Sequence, residues 1–274
     1  MASQEIIHGS KLGFWKGHST SHALNYSIHH IRQALKRGDH VLGIFIDLSK
    51  AFDTIDHDIL LSKLENYGIR GEAHKLLKSY LSDRKQYVNV LDEISDKLPV
   101  LYGVPQGSCL GPLLFLIYIN DLTNSHKNSQ YVLFADDTNI FIFSKSRLGA
   151  YQKANEILNS VYSYTLANKL HINTSKSCYI EFVQNKISSE EHHPSQSNQD
   201  LKLSINGLPI AKVDKTKFLG ITIDQNLNWD AHRAKLIKKL ATCSGILNRI
   251  KDNVPPQLHS DLYHTLFESH LVYG

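Results

Sequence analysis

The chain has 274 residues, 42% of them apolar and 20% charged, and its 30 Lys and Arg exceed its 26 Asp and Glu by a net charge of +4. That length holds one large domain or two small ones around a sizeable core, and the composition excludes a disordered or collagen-like chain. The mild basic excess identifies no partner by itself.

Three cysteines, Cys109, Cys178 and Cys243, are odd in number and form no CxxC pair, which argues against a disulfide framework or a cysteine zinc site and fits a reducing compartment. The 16 histidines include His18 and His22 at helical spacing and the adjacent pairs His29–His30 and His192–His193. No HExxH accompanies them, so they read as surface or core residues rather than metal ligands. The first residues lack the basic and apolar regions of a signal peptide. The longest apolar stretch, 113–119, is too short for a bilayer. The expectation is a soluble intracellular protein without a membrane partner.

In chain order, residues 9–20 read as a glycine- and serine-rich loop, with Ser19 or Thr20 capping a helix to about Arg37 that buries Ala23, Tyr26, Ile31 and Leu35. Residues 41–46 form a nearly continuous apolar run, a strand buried on both faces, with Asp47 at its end. Asp56 caps a helix over 58–67, and a second helix follows over 72–81. Residues 87–90 and 98–102 read as paired strands. A loop over 103–111 leads into an apolar helix opening at Pro112 and running to about Leu122. Two apolar runs, 131–135 and 139–143, flank Asp136-Asp137-Thr138 as a hairpin.

A long helix is predicted over 147–170 and a strand over 177–183, followed by a polar insertion over 184–200. Asn206-Gly207 marks a hairpin within 201–210, and 217–223 reads as one strand. Two helices close the chain, 229–252 and 256–273. The first carries Arg233, Lys235, Lys238, Lys239, Arg249 and Lys251 against Asp230 and Asp252, which is either a solvated face or a helix following a phosphate backbone. The mixture lacks regular βαβ alternation and predicts an α+β fold, with helices on one face of a mostly antiparallel sheet. There is no internal repeat, no GxGxxG and no GxxxxGK[ST].

Two places put carboxylates where folding alone would not choose them. Asp47 ends a buried strand, and Asp136-Asp137 occupy the tip of an apolar hairpin. Each has a plain alternative, since Asp suits turns and strand ends. If the strands are neighbours, three carboxylates converge and repel one another unless cations neutralise them. Hard oxygen ligands of this kind suit Mg²⁺, and two such ions would clamp an in-line phosphoryl displacement.

Phe45-Ile46-Asp47-Leu48-Ser49-Lys50-Ala51-Phe52-Asp53 resembles motif A of the reverse transcriptases of non-LTR (LINE-type) retrotransposons. Gly103-Val104-Pro105-Gln106-Gly107-Ser108, with Gly111-Pro112-Leu113, resembles motif B. Phe134-Ala135-Asp136-Asp137 resembles motif C, and Asn173 with Lys176 resembles motif D. Phe218-Leu219-Gly220 is similar to motif E, the primer grip. Gly13-Phe14, Lys16-Gly17, Ser19-Thr20 and Ala23-Leu24 are similar to the fingers block upstream. All six stand in family order across residues 13–223, with most likeness to the Jockey- and CR1-like branches.

The resemblance implies a right-hand polymerase: partial fingers over 1–40, palm over 41–58 and 102–224, a fingers–palm connection over 59–101, and the start of a helical thumb over 225–274. It implies an RNA-directed DNA polymerase joining dNTPs to a DNA primer or target on an RNA (or DNA) template, by target-primed reverse transcription, in cytoplasm and nucleus. It casts Asp47, Asp136 and Asp137 as catalytic ligands of two Mg²⁺, assisted by the Leu48 carbonyl. Phe52 would exclude a 2′-hydroxyl, with a core aromatic as its plain alternative. Gln106, Pro105 and Gly107 would shape the nucleotide site and Lys176 would donate a proton to pyrophosphate. Phe218, Leu219 and Gly220 would grip the primer. Arg233, Lys235, Lys238 and Lys239 would follow the nucleic-acid backbone.

Trp15 departs from the family's usual Arg. By the resemblance, the chain is expected to open inside the fingers and to end at Tyr273-Gly274 within the thumb, without an endonuclease domain before it or a Cys/His-rich tail after it. The expectation is therefore weak extension by these residues alone. The rival reading is an inactive or domesticated fragment that at most binds RNA.

Overall fold

A computed structural model describes residues 19–91, 93–126, 129–183 and 201–273. The fingers loop with Gly13, Phe14, Trp15, Lys16 and Gly17, and the polar insertion over 184–200, lie outside the described residues.

Helix α1 (Thr20–Lys36) begins with a reciprocal cap: the His22 N–H donates to the Ser19 hydroxyl and the Ser19 N–H to the His22 ring. Its inward row is Ala23, Leu24, Ser27, Ile31 and Ala34. Tyr26, expected inside, is 48% exposed. It projects about a third of a turn from that row and meets His30 edge-on instead. Strand β1 (His40–Ile46) is buried from Val41 onward. Helix α2 (His57–Asn66) is capped by Asp56, whose Oδ1 accepts from the Asp58 and Ile59 N–H groups, both at 3.0 Å. Helix α3 (Gly71–Leu81) follows.

Four short strands come next: β2 (Lys85–Gln86), β3 (Asn89–Val90), β4 (Glu93–Ile94) and β5 (Leu98–Pro99). The pairing of 87–90 with 98–102 does not form. Instead β2 pairs with β5 and β3 with β4, and the register slips by one residue between the two ladders, which is the signature of a bulge. Tyr102 is drawn away to bridge Asp56.

Helix α4 (Leu110–Tyr118) starts two residues before Pro112. Proline is tolerated there because the first four N–H groups of a helix have no intrahelical partner. Next come β6 (Gln130–Phe134), β7 (Asp137–Ser144), α5 (Arg147–Ala167) and β8 (Cys178–Phe182). Then β9 (Ser204–Ile205) and β10 (Leu208–Pro209) turn at Asn206-Gly207, where φ is 50° and 76°. After β11 (Ala211–Lys212), the single strand expected over 217–223 is in fact a hairpin, β12 (Lys215–Phe218) and β13 (Ile221–Asp224). It breaks at Leu219-Gly220, with φ of 45° and 89°, a two-residue turn whose twist suits antiparallel strands. Helices α6 (Asp230–Ile250), α7 (His259–Tyr263) and α8 (Ser269–Val272) follow, with a π turn over His264–Glu268.

The main sheet has the order β11-β8-β1-β7-β6, antiparallel except for β11 beside β8. Leu42, Ile44 and Ile46 of β1 pack with Leu60, Phe115 and Leu158 from α2, α4 and α5. Val41 and Phe45 pack on the other face with Ala23 and Ile31 of α1 and with Phe218 and Ile221 of the hairpin. Both faces are therefore covered, which corrects the expectation of helices on one face only. A strand buried over six consecutive residues needs cover on both sides. The Phe45, Phe141 and Phe218 rings meet edge-on at 5.6–6.2 Å and join β1, β7 and the hairpin.

Glu181 on β8 ties the sheet to α5. It accepts from Arg147 Nε (2.7 Å), the Tyr151 hydroxyl (3.0 Å) and Lys212 Nζ (2.6 Å). Burial alone would raise its pKa, but the Arg147 and Lys212 bonds win and hold it at about 2, below the ordinary 4.5. Its contribution is complete above about pH 4.5 and is lost as pH falls towards 2. Glu181→Gln should cost about 2 kcal/mol of stability at neutral pH. Urea titrations should show that deficit shrinking below pH 4.5, whereas a pH-independent deficit would point to packing alone.

Candidate active site

Asp47 stands where β1 ends. The last main-chain pairs of β1 are Ile46 with Thr138 on β7 and Phe45 with Cys178 on β8. Beyond them the Asp47 carbonyl accepts from the Asn173 N–H at 2.8 Å, and the Ser49 N–H donates to the His171 carbonyl at 2.8 Å. Leu48 therefore bridges Ile172, while neither bond uses the Leu48 carbonyl.

Asp136 and Asp137 sit at the β6–β7 turn, but the turn lies one residue earlier than the sequence indicated. Ala135-Asp136 is the two-residue loop, with Ala135 at φ 54°, and Asp137 already pairs with Phe134. Because β7 is the neighbour of β1, the turn and Asp47 share one edge of the sheet. Asp137 reaches solvent, yet surrounding protein raises its pKa, and the Asp136 and Asp47 carboxylates raise it further; Lys217 on β12 pulls it down.

Among the described residues none of the three carboxylates is ion-paired, and no group of three or more His, Cys, Asp or Glu side chains is gathered to hold a metal. The three share an edge, and Asp137 feels the charge of the other two, without an assembled ligand sphere among the described residues. Their donors are hard oxygens whose charge lacks a partner, and that chemistry fits Mg²⁺.

The loop carrying Pro105, Gln106 and Gly107 docks on the segment after Asp47. The Val104 N–H donates to the Phe52 carbonyl (2.9 Å), the Gly103 N–H to the Ile55 carbonyl (2.8 Å), and His57 Nε2 reaches the Gly103 carbonyl (2.7 Å). Gly103 has φ 83°, and a Cβ there would lie 2.8 Å from the Asp53 Cα. Gln106 Nε2 donates to Asp53 Oδ1 at 2.8 Å. Pro105 accepts from the Ser108 hydroxyl (2.7 Å), and Gly107 turns the chain at φ 80°. Phe52 is half-buried, with its ring on Phe115 at 4.7 Å, so its core-packing role has a partner and part of its surface still faces outward. Lys176 is exposed, its N–H held by Asn173 Oδ1 at 3.3 Å.

Phe218, Leu219 and Gly220 belong to the β12–β13 hairpin. Phe218 and Leu219 are buried, and the turn is clasped by Tyr273, whose hydroxyl donates to the Leu219 carbonyl. A Cβ on Gly220 would come within 2.9 Å of the Tyr273 ring. The basic helix divides. Lys235 and Lys239 face the hairpin across a cavity of about 290 Å³, shared with Lys217, Thr222 and His232. Lys235 Nζ donates to Thr222 Oγ1 (3.0 Å), whereas Arg233 pairs with Asp230 (2.6 Å) and neither Arg233 nor Lys238 lines that cavity. At the chain's end Leu271 is 52% exposed while Leu262 and Leu266 are half-buried.

Asp53, Lys217 and Ser177 escaped the sequence reading. A lone Lys or Ser beside a strand carries no periodicity or motif that separates it from a solvated residue. Asp53 stood inside motif A, but only the fold shows that it holds Gln106.

The family model described as reverse transcriptase (RNA-dependent DNA polymerase) matches residues 1–223. In Drosophila melanogaster the probable RNA-directed DNA polymerase from transposon BS is 28% identical over 239 residues, 85% of this chain and 25% of its own length. The RNA-directed DNA polymerase from mobile element jockey of the same fly is 28% identical over 229 residues, 81% of this chain and 24% of its own length. This chain thus spans about a quarter of the length of these curated relatives. Among solved structures, telomerase from Candida tropicalis in complex with a fragment of telomeric RNA superposes with a TM-score of 0.55 at 12% identity, over 83% of this chain and 35% of that one. At that identity the likeness is one of fold.

Gly103→Ala should cost about 3 kcal/mol, because it forces a side chain into the left-handed region and against the Asp53 backbone. Denaturant unfolding measures this, and a neutral substitution would show that the two loops are not docked this closely.

Proposed function

This chain belongs to the reverse transcriptase (RNA-dependent DNA polymerase) family, and we propose that it is the palm-centred core of a non-LTR retrotransposon polymerase that extends a DNA primer on an RNA template. The observation that carries this reading is the shared sheet edge of Asp47 and the Asp136-Asp137 turn, where the three carboxylates lie within electrostatic reach and none is ion-paired to another described residue.

Asp47 and Asp136, with Asp137 beside them and the Leu48 carbonyl assisting, are the residues for two Mg²⁺, which would neutralise triphosphate charge and lower the pKa of the primer 3′-hydroxyl. The docked loop presents Gln106 and backbone to the incoming dNTP, and Gly107 allows the close approach. Phe52 lies beside the sugar and excludes a 2′-hydroxyl. Lys176 serves as proton donor to pyrophosphate. Phe218, Leu219 and Gly220 set the height of the primer end. Lys235 and Lys239, with Arg233 and Lys238 further round the helix, attract the nucleic-acid backbone. Target-primed synthesis, with a DNA target as primer and work divided between cytoplasm and nucleus, completes the reading.

Primer extension on an RNA template tests it. Asp136→Asn should reduce extension by about 10³-fold or more while template binding persists, since it removes one charge and one ligand from the reacting centre. Undiminished extension by that variant would overturn the assignment. RNA binding without any extension by the parent would favour the inactive-fragment reading. Phe52→Val should raise ribonucleotide incorporation, because it opens space where the 2′-hydroxyl distinguishes the substrates; unchanged sugar choice would return Phe52 to its place on Phe115.

A further inference from the structure

β1 runs out of sheet one residue before Asp47. On the β8 side its last partner is Cys178, opposite Phe45. Past that point the neighbouring chain leaves β1 over the 173–177 turn and pairs again only where Ile172 bridges Leu48. It curls onto Asn173, whose carbonyl takes the N–H groups of Lys176 (3.2 Å) and Ser177 (2.9 Å). The Asp47 N–H has lost its ladder, and the partner it finds is a side chain: Ser177 Oγ accepts from it at 3.1 Å. The same hydroxyl donates to the Asn173 carbonyl at 2.8 Å, and Ser177 is 1% exposed. The Asn173 N–H in turn holds the Asp47 carbonyl.

We propose that Ser177 is a positioning residue for Asp47: its hydroxyl extends the β1–β8 ladder by one link and fixes the main chain of the carboxylate. The proposal rests on the reading that Asp47 is a metal ligand. With its N–H and carbonyl both held by the 173–177 turn, Asp47 keeps only its side-chain torsions, so its carboxylate samples a narrow arc at the sheet edge. Residues that orient a ligand without touching the metal commonly matter about 10- to 100-fold in affinity. A serine is suited to this place because one small hydroxyl both accepts and donates. Alanine would leave a peptide N–H at the end of β1 without its partner.

The test is Mn²⁺ binding to the chain, read from the electron paramagnetic resonance signal of the free ion, alongside circular dichroism and thermal unfolding. Asp47→Asn is the control for the underlying reading. Ser177→Ala should fold and weaken Mn²⁺ binding about tenfold, and Ser177→Thr, which keeps the hydroxyl, should stay within about twofold of the parent. Should Ser177→Ala fail to fold, Ser177→Cys, which keeps the volume but accepts weakly, decides instead by weakened binding in a native fold. Weakened binding in Asp47→Asn but parental affinity in folded Ser177→Ala or Ser177→Cys would overturn the positioning role alone. Parental binding in Asp47→Asn, or no saturable binding by the parent, would overturn the metal-ligand reading beneath it.

Discussion

Strand β1 has no solvent face. Six consecutive buried residues must be covered above and below, and that requirement recruits α2, α4 and α5 on one side and α1 with the β12–β13 hairpin on the other. It also places β1 in the middle of the sheet, between β7 and β8. Strand order then dictates the chemistry. Asp47 at the end of β1 meets what the two neighbouring strands bring to that edge: the Asp136-Asp137 turn on one side and, on its main-chain N–H, the Ser177 hydroxyl on the other.

The same edge concentrates negative charge without neutralising it. Several carboxylates elsewhere are paired: Asp56 with Lys169, Asp121 with Lys63, Glu181 with Arg147 and Lys212. At the edge burial raises the proton affinity of Asp137, the Asp136 and Asp47 carboxylates raise it further, and Lys217 acts against them. Such an arrangement is unfavourable for folding and is tolerated because a rigid three-layer support holds it. Local electrostatic strain over a stable scaffold is the ordinary signature of a reacting centre.

Around this edge the backbone is held by contacts that cross long stretches of sequence. Gly103 packs on Asp53, His57 reaches the Gly103 carbonyl, and Gln106 rests on Asp53. On the opposite face Tyr273 clasps the Leu219-Gly220 turn, so the last helical segment reports on the position of the hairpin that carries Phe218. The ring cluster of Phe45, Phe141 and Phe218 packs that hairpin against β1 and β7, the two strands whose ends bring Asp47 and Asp137 to one edge.

Local chemistry wrote much of this plainly in the sequence. The Ser19 cap, the apolar run of β1, the Asp56 cap, the Asn206-Gly207 turn and the long α5 all follow from short-range rules, and the order of motifs A to E matches the family to which the chain belongs. Tertiary structure decided what short-range rules cannot reach. Leu219-Gly220 turns rather than continuing a strand because the hairpin must fold back over Phe45 and Phe141. Ala135 rather than Asp137 takes the left-handed position, because the β6–β7 register pairs Phe134 with Asp137. Tyr26 points outward because the inward row of α1 follows Ala23, Ser27 and Ile31, and the arms between residues 85 and 99 shift because Tyr102 is claimed by Asp56. Ser177 and Lys217 became legible only in the fold. Lys217 acts on the Asp137 carboxylate from 80 positions away and Ser177 holds the Asp47 N–H from 130 away, and a contact at that separation leaves no period, spacing or local propensity in the sequence.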